Sequence, residues 1–263
     1  MARHNPNDPF NQGSGDRSQY SKYAGSQAMS DGFGQSMFAA DAAVSERVTF
    51  IRNTYLHLCG AVLLFALLEG LVINYVAPAV GIEKIMSMFG GYNMLFLLGG
   101  FMAASYLATA CANSNSSRAV QYAGLGIYVL AETVIFMPIL LIASNFYPGA
   151  IEGAAVATVA IFGGLTLFTF VTRIDFSFMR QFLFICSMAA LAMIVASIFM
   201  GMSLGVWFSG AMVLLMAGYI LYQTSNIMNV YQTDQHVAAS LALFASVATM
   251  FFYILRIIMA NRE

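Results

Sequence analysis

Two carboxylates, Glu69 and Glu132, stand inside stretches that otherwise read as Leu, Ile, Val, Phe, Met and Ala. A charged side chain at the middle of a bilayer costs on the order of 3 kcal/mol even on the most lenient insertion scale, so each acid must face a bundle interior or carry its proton. Two readings follow: a relay for protons or cations, or a structural carboxyl that is either neutral and bonded to a neighbouring helix or near a span end and reaching for the interface. Both stay open for each residue. Glu132 lies shortly before Pro138, which removes a backbone donor and kinks a helix.

Other chemistry-bearing residues are sparse. His57 and His236 each open an apolar stretch, and neither has a second His or a carboxylate four residues on to complete a metal pair. Both read as interfacial side chains. Arg52 and Arg256 mark membrane edges or pair with interior acids; snorkelling alone explains either. Cys59, Cys111 and Cys186 lack CxxC spacing and read as small packing residues. An intramembrane serine protease needs a Gly-x-Ser-Gly turn, whereas the segment before Gly210 runs Trp207-Phe208-Ser209. A retinal-type Schiff base needs a Lys in a late span, and the chain has only Lys22 and Lys84. The expectation is a protein without enzymatic activity and without a cofactor.

The elements that position these residues are set by the solvent. From Gln181 to Leu255 the only formal charge is Asp234. A helix that crosses a hydrocarbon core of about 30 Å needs roughly 20 mostly apolar residues, and that stretch holds three. With 60% hydrophobic and 9% charged residues, the chain lies far from the roughly 25% charged content of a soluble domain. Spans are predicted at Leu56–Val80, Phe89–Ala112, Ala119–Ser144, Gly153–Thr172, Gln181–Gly201, Leu204–Tyr222 and Val237–Met259. Runs without alternation exclude a β-barrel, and only helices close their backbone hydrogen bonds internally at this length. The fold class is thus an all-α membrane protein, a seven-transmembrane-helix bundle occupying 46–263. Gly99, Gly100, Gly149, Gly153, Gly210 and Gly218 are candidate points of close helix approach.

Residues 1–45 are rich in Gly, Ser, Asn, Gln and Asp without a periodic apolar face, and read as a disordered tail. No apolar h-region follows the first residues, so the tail is expected to stay on the side of synthesis. Counting Lys and Arg agrees: Arg3, Arg17, Lys22, Arg47, Arg52, Arg118, Arg173 and Arg180 fall on the tail side, against Lys84, Arg256 and Arg262 on the other. The N-terminus is therefore expected in the cytoplasm. A six-span arrangement with a re-entrant last segment would return the C-terminus there as well. A net charge of −1 offers no footprint for nucleic acid.

Several segments, in order, resemble one family. Arg52-Asn53-Thr54-Tyr55-Leu56-His57-Leu58 resembles the Arg-x-Thr-Tyr-x-His-Leu opening of the Bax inhibitor 1 family, also called the transmembrane Bax inhibitor motif family. Ala131-Glu132-Thr133 through Pro138 resembles its third span, and Thr172-Arg173-Ile174-Asp175-Phe176-Ser177 its Thr-Lys-x-Asp-Phe-Ser loop. Tyr219-Ile220-Leu221-Tyr222 and Leu255-Arg256 resemble its last two spans. The resemblance implies a seven-helix bundle in a bacterial inner membrane with a pH-sensitive calcium leak and, in some members, restraint of a membrane-bound ATP-dependent protease. Arg52, Arg256 and Asp175, which lie in these segments, are the candidate interface or ion-pair residues.

The departures narrow that implication. Members with a calcium leak carry two Asp residues that share a proton, one after the Leu-Tyr of span six and one within span seven. Two adjacent acids repel each other's charge, which is how such a pair senses pH. The aligned positions here are Gln223 and Ser246, neither of which ionises. They can still hydrogen-bond across two helices. The candidate gate or pore residues are Gln223, Ser246, Glu132 and Glu69.

The expected function is a non-enzymatic ion-leak or stress-regulatory protein whose diaspartyl sensor has been replaced, with calcium or protons as permeant ions and the lipid bilayer as constant partner. An alternative is an interaction protein that modulates a membrane protease complex through its tail and helix surfaces. A small-solute transporter is the third reading, weakened by having only two buried charges.

Overall fold

The computed structural model describes residues 38–40, 42–113 and 117–262. Seven long apolar helices are present: α1 (Val44–Val80), α3 (Asn93–Ala112), α4 (Arg118–Phe146), α5 (Ala150–Thr172), α6 (Met179–Met200), α7 (Val206–Asn229) and α8 (His236–Ala260). A short α2 (Ile82–Met88) joins the first two spans. The predicted spans fall inside these helices apart from a few residues at their ends, and the last one runs through to Ala260 without re-entry. The expected tail lies mostly outside the described residues. At its described end, Ala39 is buried and its N–H donates to the Tyr231 carbonyl, while α1 has begun by Val44.

Two helices form the centre. α8 is buried around most of its circumference, and α4 is buried along a stripe that runs Leu125, Tyr128, Val129, Glu132, Phe136, Ile139 and Leu140. α8 packs against α1, α4, α5 and α7, and α4 also packs along α3. α8 is rich in small residues (Ala238, Ala239, Ser240, Ala242, Ala245, Ser246, Ala248), which let neighbours approach from several sides. The bulk of the packing comes from dispersion and shape, because lipid tails are as apolar as the core.

The buried stripe of α1 repeats at helical spacing: Phe50, Thr54, Leu58, Ala61, Phe65 and Glu69. Just beyond Glu69 the helix widens into a π segment, Val72–Val76, and resumes at Ala77–Val80. Pro78 supplies a reason, since it has no N–H to donate to a carbonyl one turn back. Within the same stretch, Asn74 Nδ2 donates to the Gly70 carbonyl at 2.7 Å.

Of the glycines named for close approach, Gly218 meets Leu183 and Gly153 meets Ile258, but Gly99, Gly100, Gly149 and Gly210 have open space around an added Cβ. The tightest crossing is at Gly124 on α4. A Cβ there would lie 2.6 Å from the Ala108 carbonyl oxygen of α3, so only glycine permits this approach.

Candidate functional site

α1 and α4, the first and third spans, run in the same direction. They meet where the rings of Phe65 and Phe136 pack edge to face, 5.0 Å between centroids. Glu69 lies one turn beyond Phe65, whereas Glu132 lies one turn before Phe136. The two acids are therefore displaced by roughly 12 Å along the helix axes, on opposite sides of the ring contact. Both are buried, at 4% and 3% exposure.

Each acid lines its own cavity. Glu69 faces one of about 330 Å³ bounded by α1, α4, α5 and α8. Glu132 faces another of about 390 Å³ among α3, α4, α6 and α8, which also includes Arg256 and Leu204. The two cavities use different faces of α8: Phe244, Val247, Ala248 and Phe251 line the first, and Thr249, Phe252, Tyr253 and Arg256 the second. Phe136 lines the second cavity and packs against Phe65 and Phe251, which line the first. Its ring stacks on Phe251 at 5.9 Å and meets Phe252 edge-on at 5.3 Å.

The acids differ in their partners. Tyr128, one turn before Glu132 on the same stripe, has its hydroxyl within hydrogen-bonding reach of the carboxyl. Both oxygens of Glu69 are buried with no hydrogen-bond partner. Arg256 is held by a backbone group: its Nη2 donates to the Leu204 carbonyl at 2.7 Å, and its guanidinium lies 5.9 Å from the Tyr253 ring centre. Arg52 is exposed on α1.

Gln223 and Ser246 meet across α7 and α8. Ser246 Oγ donates to Gln223 Oε1 at 3.1 Å, and the serine is buried. Nearby, the loop between α5 and α6 is docked onto α7. The Phe176 N–H donates to Ser225 Oγ at 3.1 Å, and Ser225 Oγ donates to Asp175 Oδ1 at 3.4 Å. Asp175 also accepts from the hydroxyl and the backbone N–H of Ser177. These bonds to the charged form hold its carboxyl below the usual carboxylate range. Asp175 is thus a loop-docking residue with serine partners.

One grouping was not legible in the chain. His57 and His236 come together with ring centroids 4.9 Å apart, and Tyr122 stacks on His57 at 5.4 Å. The His57 ring also reaches the Asn53 carbonyl through Nδ1 at 2.6 Å and the Tyr122 hydroxyl through Nε2 at 3.1 Å. An N–H on Nδ1 and a lone pair on Nε2 satisfy both contacts. Each histidine opens its own span, and only the packing of α1 beside α8 joins them. Among the described residues, no group of three or more His, Cys, Asp or Glu could hold a metal ion.

The bundle has recognisable relatives. Bax inhibitor 1 of Schizosaccharomyces pombe is 26% identical over 244 residues, covering 92% of this chain and 87% of that protein. Protein LIFEGUARD 1 of Arabidopsis thaliana is 33% identical over 110 residues, 40% of this chain and 47% of its own. An uncharacterized membrane protein of Vibrio cholerae is 30% identical over 128 residues, 45% of this chain and 57% of its own. No solved structure matches the chain. The family model described as "Inhibitor of apoptosis-promoting Bax1" matches residues 47–263, from the first turn of α1 past the end of α8. That span takes in the two acid-bearing cavities and the Gln223–Ser246 contact, and the chain belongs to the Bax inhibitor 1 family.

Proposed function

We propose that this protein is a non-enzymatic ion-leak or stress-regulatory protein of a bacterial inner membrane, with its N-terminus in the cytoplasm. A neutral Gln223–Ser246 latch takes the place of a titrating acid pair. The observation that carries the reading is the placement of Glu69 and Glu132, each buried against a separate cavity with aromatic rings between them. Buried acids beside cavities are the usual means by which membrane proteins pass protons or cations. The latch favours a closed bundle, because a Ser–Gln bond does not respond to pH or attract a divalent ion as two carboxylates do.

Purified protein in liposomes tests this through calcium and proton flux at neutral and mildly acidic pH, beside Glu132→Gln, Glu69→Gln and the double variant Gln223→Asp, Ser246→Asp. Flux in the natural protein that falls in either Gln variant supports the reading. PH-dependent flux unchanged in Glu132→Gln removes that residue from the path. Silence in the natural protein with flux in the Asp variant means a scaffold that has given up the calcium role, and capture of a membrane-bound ATP-dependent protease becomes the leading function.

A further inference from the structure

The Glu69 cavity has a chemistry of its own. Its wall is apolar except at Glu69 and Thr158. Glu69 presents two buried oxygens without a partner. Thr158 is buried too, and its hydroxyl donates to the Ala154 carbonyl at 2.7 Å, which leaves the oxygen lone pairs able to accept. Phe65, Phe244 and Phe251 add aromatic surface. Val62 and Val159 also line the cavity and are exposed on helices that span the membrane, so its mouth faces hydrocarbon.

An occupant that enters there must dissolve in lipid, and a pure hydrocarbon would leave both acid oxygens unpaired. An ammonium group carries up to three donors, enough for the two Glu69 oxygens and Thr158 Oγ1. Aromatic rings attract a cation to their faces, most strongly where water is excluded. We propose that this cavity binds a lipophilic amine, a compact hydrocarbon body bearing one primary or secondary amino group, which enters sideways from the bilayer and pairs with Glu69. A neutral amine arriving through lipid takes the carboxyl proton on its lone pair: the N–H bond forms as the O–H bond breaks, and the products are an ammonium and a carboxylate in contact. The site depends on the cavity alone and stands whether or not ions cross the bundle.

The test uses the full chain in phosphatidylcholine nanodiscs, with 1-naphthylmethylamine as probe, 1-naphthylmethanol as its uncharged counterpart, and empty nanodiscs to subtract partitioning. Equilibrium dialysis is expected to give saturable binding of one amine per protein, tighter than the alcohol by about ten-fold or more. Glu69→Gln should abolish that preference. Ala155→Phe, at an exposed position of α5 that lines the cavity, should abolish saturable binding of the amine while leaving the acid in place. Amine binding no tighter than the alcohol overturns the proposal. So does a preference that survives Glu69→Gln, or amine binding that survives Ala155→Phe. If Glu69→Gln fails to fold, the Ala155→Phe variant decides.

Discussion

Ser246 Oγ donates to Gln223 Oε1 over 3.1 Å and so ties α8 to α7 by a bond between two neutral side chains. Interhelical hydrogen bonds in membranes contribute modestly, because the separated helices find other partners. A double-mutant cycle of Gln223→Ala and Ser246→Ala should give a coupling of about 0.6 kcal/mol, and no more than about 1.7. Unfolding in graded detergent reads it at pH 7 and at pH 5. We predict the same coupling at both, since neither partner titrates. A coupling that changes with pH would mean that another group controls the latch.

Asp175 should behave in the opposite way. Hydrogen bonds from Ser177 depress its proton affinity in the folded chain. A carboxyl of this kind contributes stability that is fully present above its unfolded pKa and is lost as pH falls through its folded one. Natural protein should therefore melt higher than Asp175→Asn at neutral pH, with the difference vanishing in the acid range below about pH 4. A difference that persists unchanged to pH 3 would show that the carboxylate charge is not the cause.

Much of this fold is legible in the sequence, because hydropathy over about 20 residues reports a span directly. It misses the start of α1, where Ser45, Glu46, Arg47 and Thr49 form a helical turn outside the apolar stretch. It also cannot say which helix is central, since lipid and protein interior are equally apolar. Small residues do not settle it, since α5 is as rich in Ala and Gly as α8 yet is far less buried; the spacing that puts Glu69 on the Phe50, Thr54, Leu58, Ala61, Phe65 stripe is the part of the packing the chain does carry. The Gln223–Ser246 meeting could be anticipated from family resemblance. The His57–His236 contact could not, because it depends on how α1 and α8 lie side by side.

The α3–α4 crossing makes a sharper test of packing. At Gly124 an added Cβ would lie 2.6 Å from the Ala108 carbonyl oxygen and 3.0 Å from the Ala112 nitrogen, both backbone atoms that cannot swing aside. Gly124→Ala should cost about 1–3 kcal/mol in the same unfolding assay. Gly126, half a turn on, has nothing within 4 Å of its added Cβ. Gly126→Ala should be neutral or stabilise by up to about 1 kcal/mol, through the better helix propensity of alanine. Equal effects at the two positions would refute the close crossing.

Phe136 stands among rings that line both acid-bearing cavities. It is 1% exposed, and its ring touches Phe65, Phe251 and Phe252. Phe136→Ala should cost about 3–5 kcal/mol of stability and join the two cavities. If Glu69 and Glu132 lie on an ion path, proton flux in liposomes should rise in this variant and fall again when Glu132→Gln is added. Phe136→Leu restores bulk at this position, so its flux should stay near that of the natural protein. Flux in Phe136→Ala that matches the natural protein, with the expected loss of stability, would mean that the ring is a packing element and that the path lies elsewhere. The ratio of the two flux values, not the melting temperature, separates a gate from a core residue.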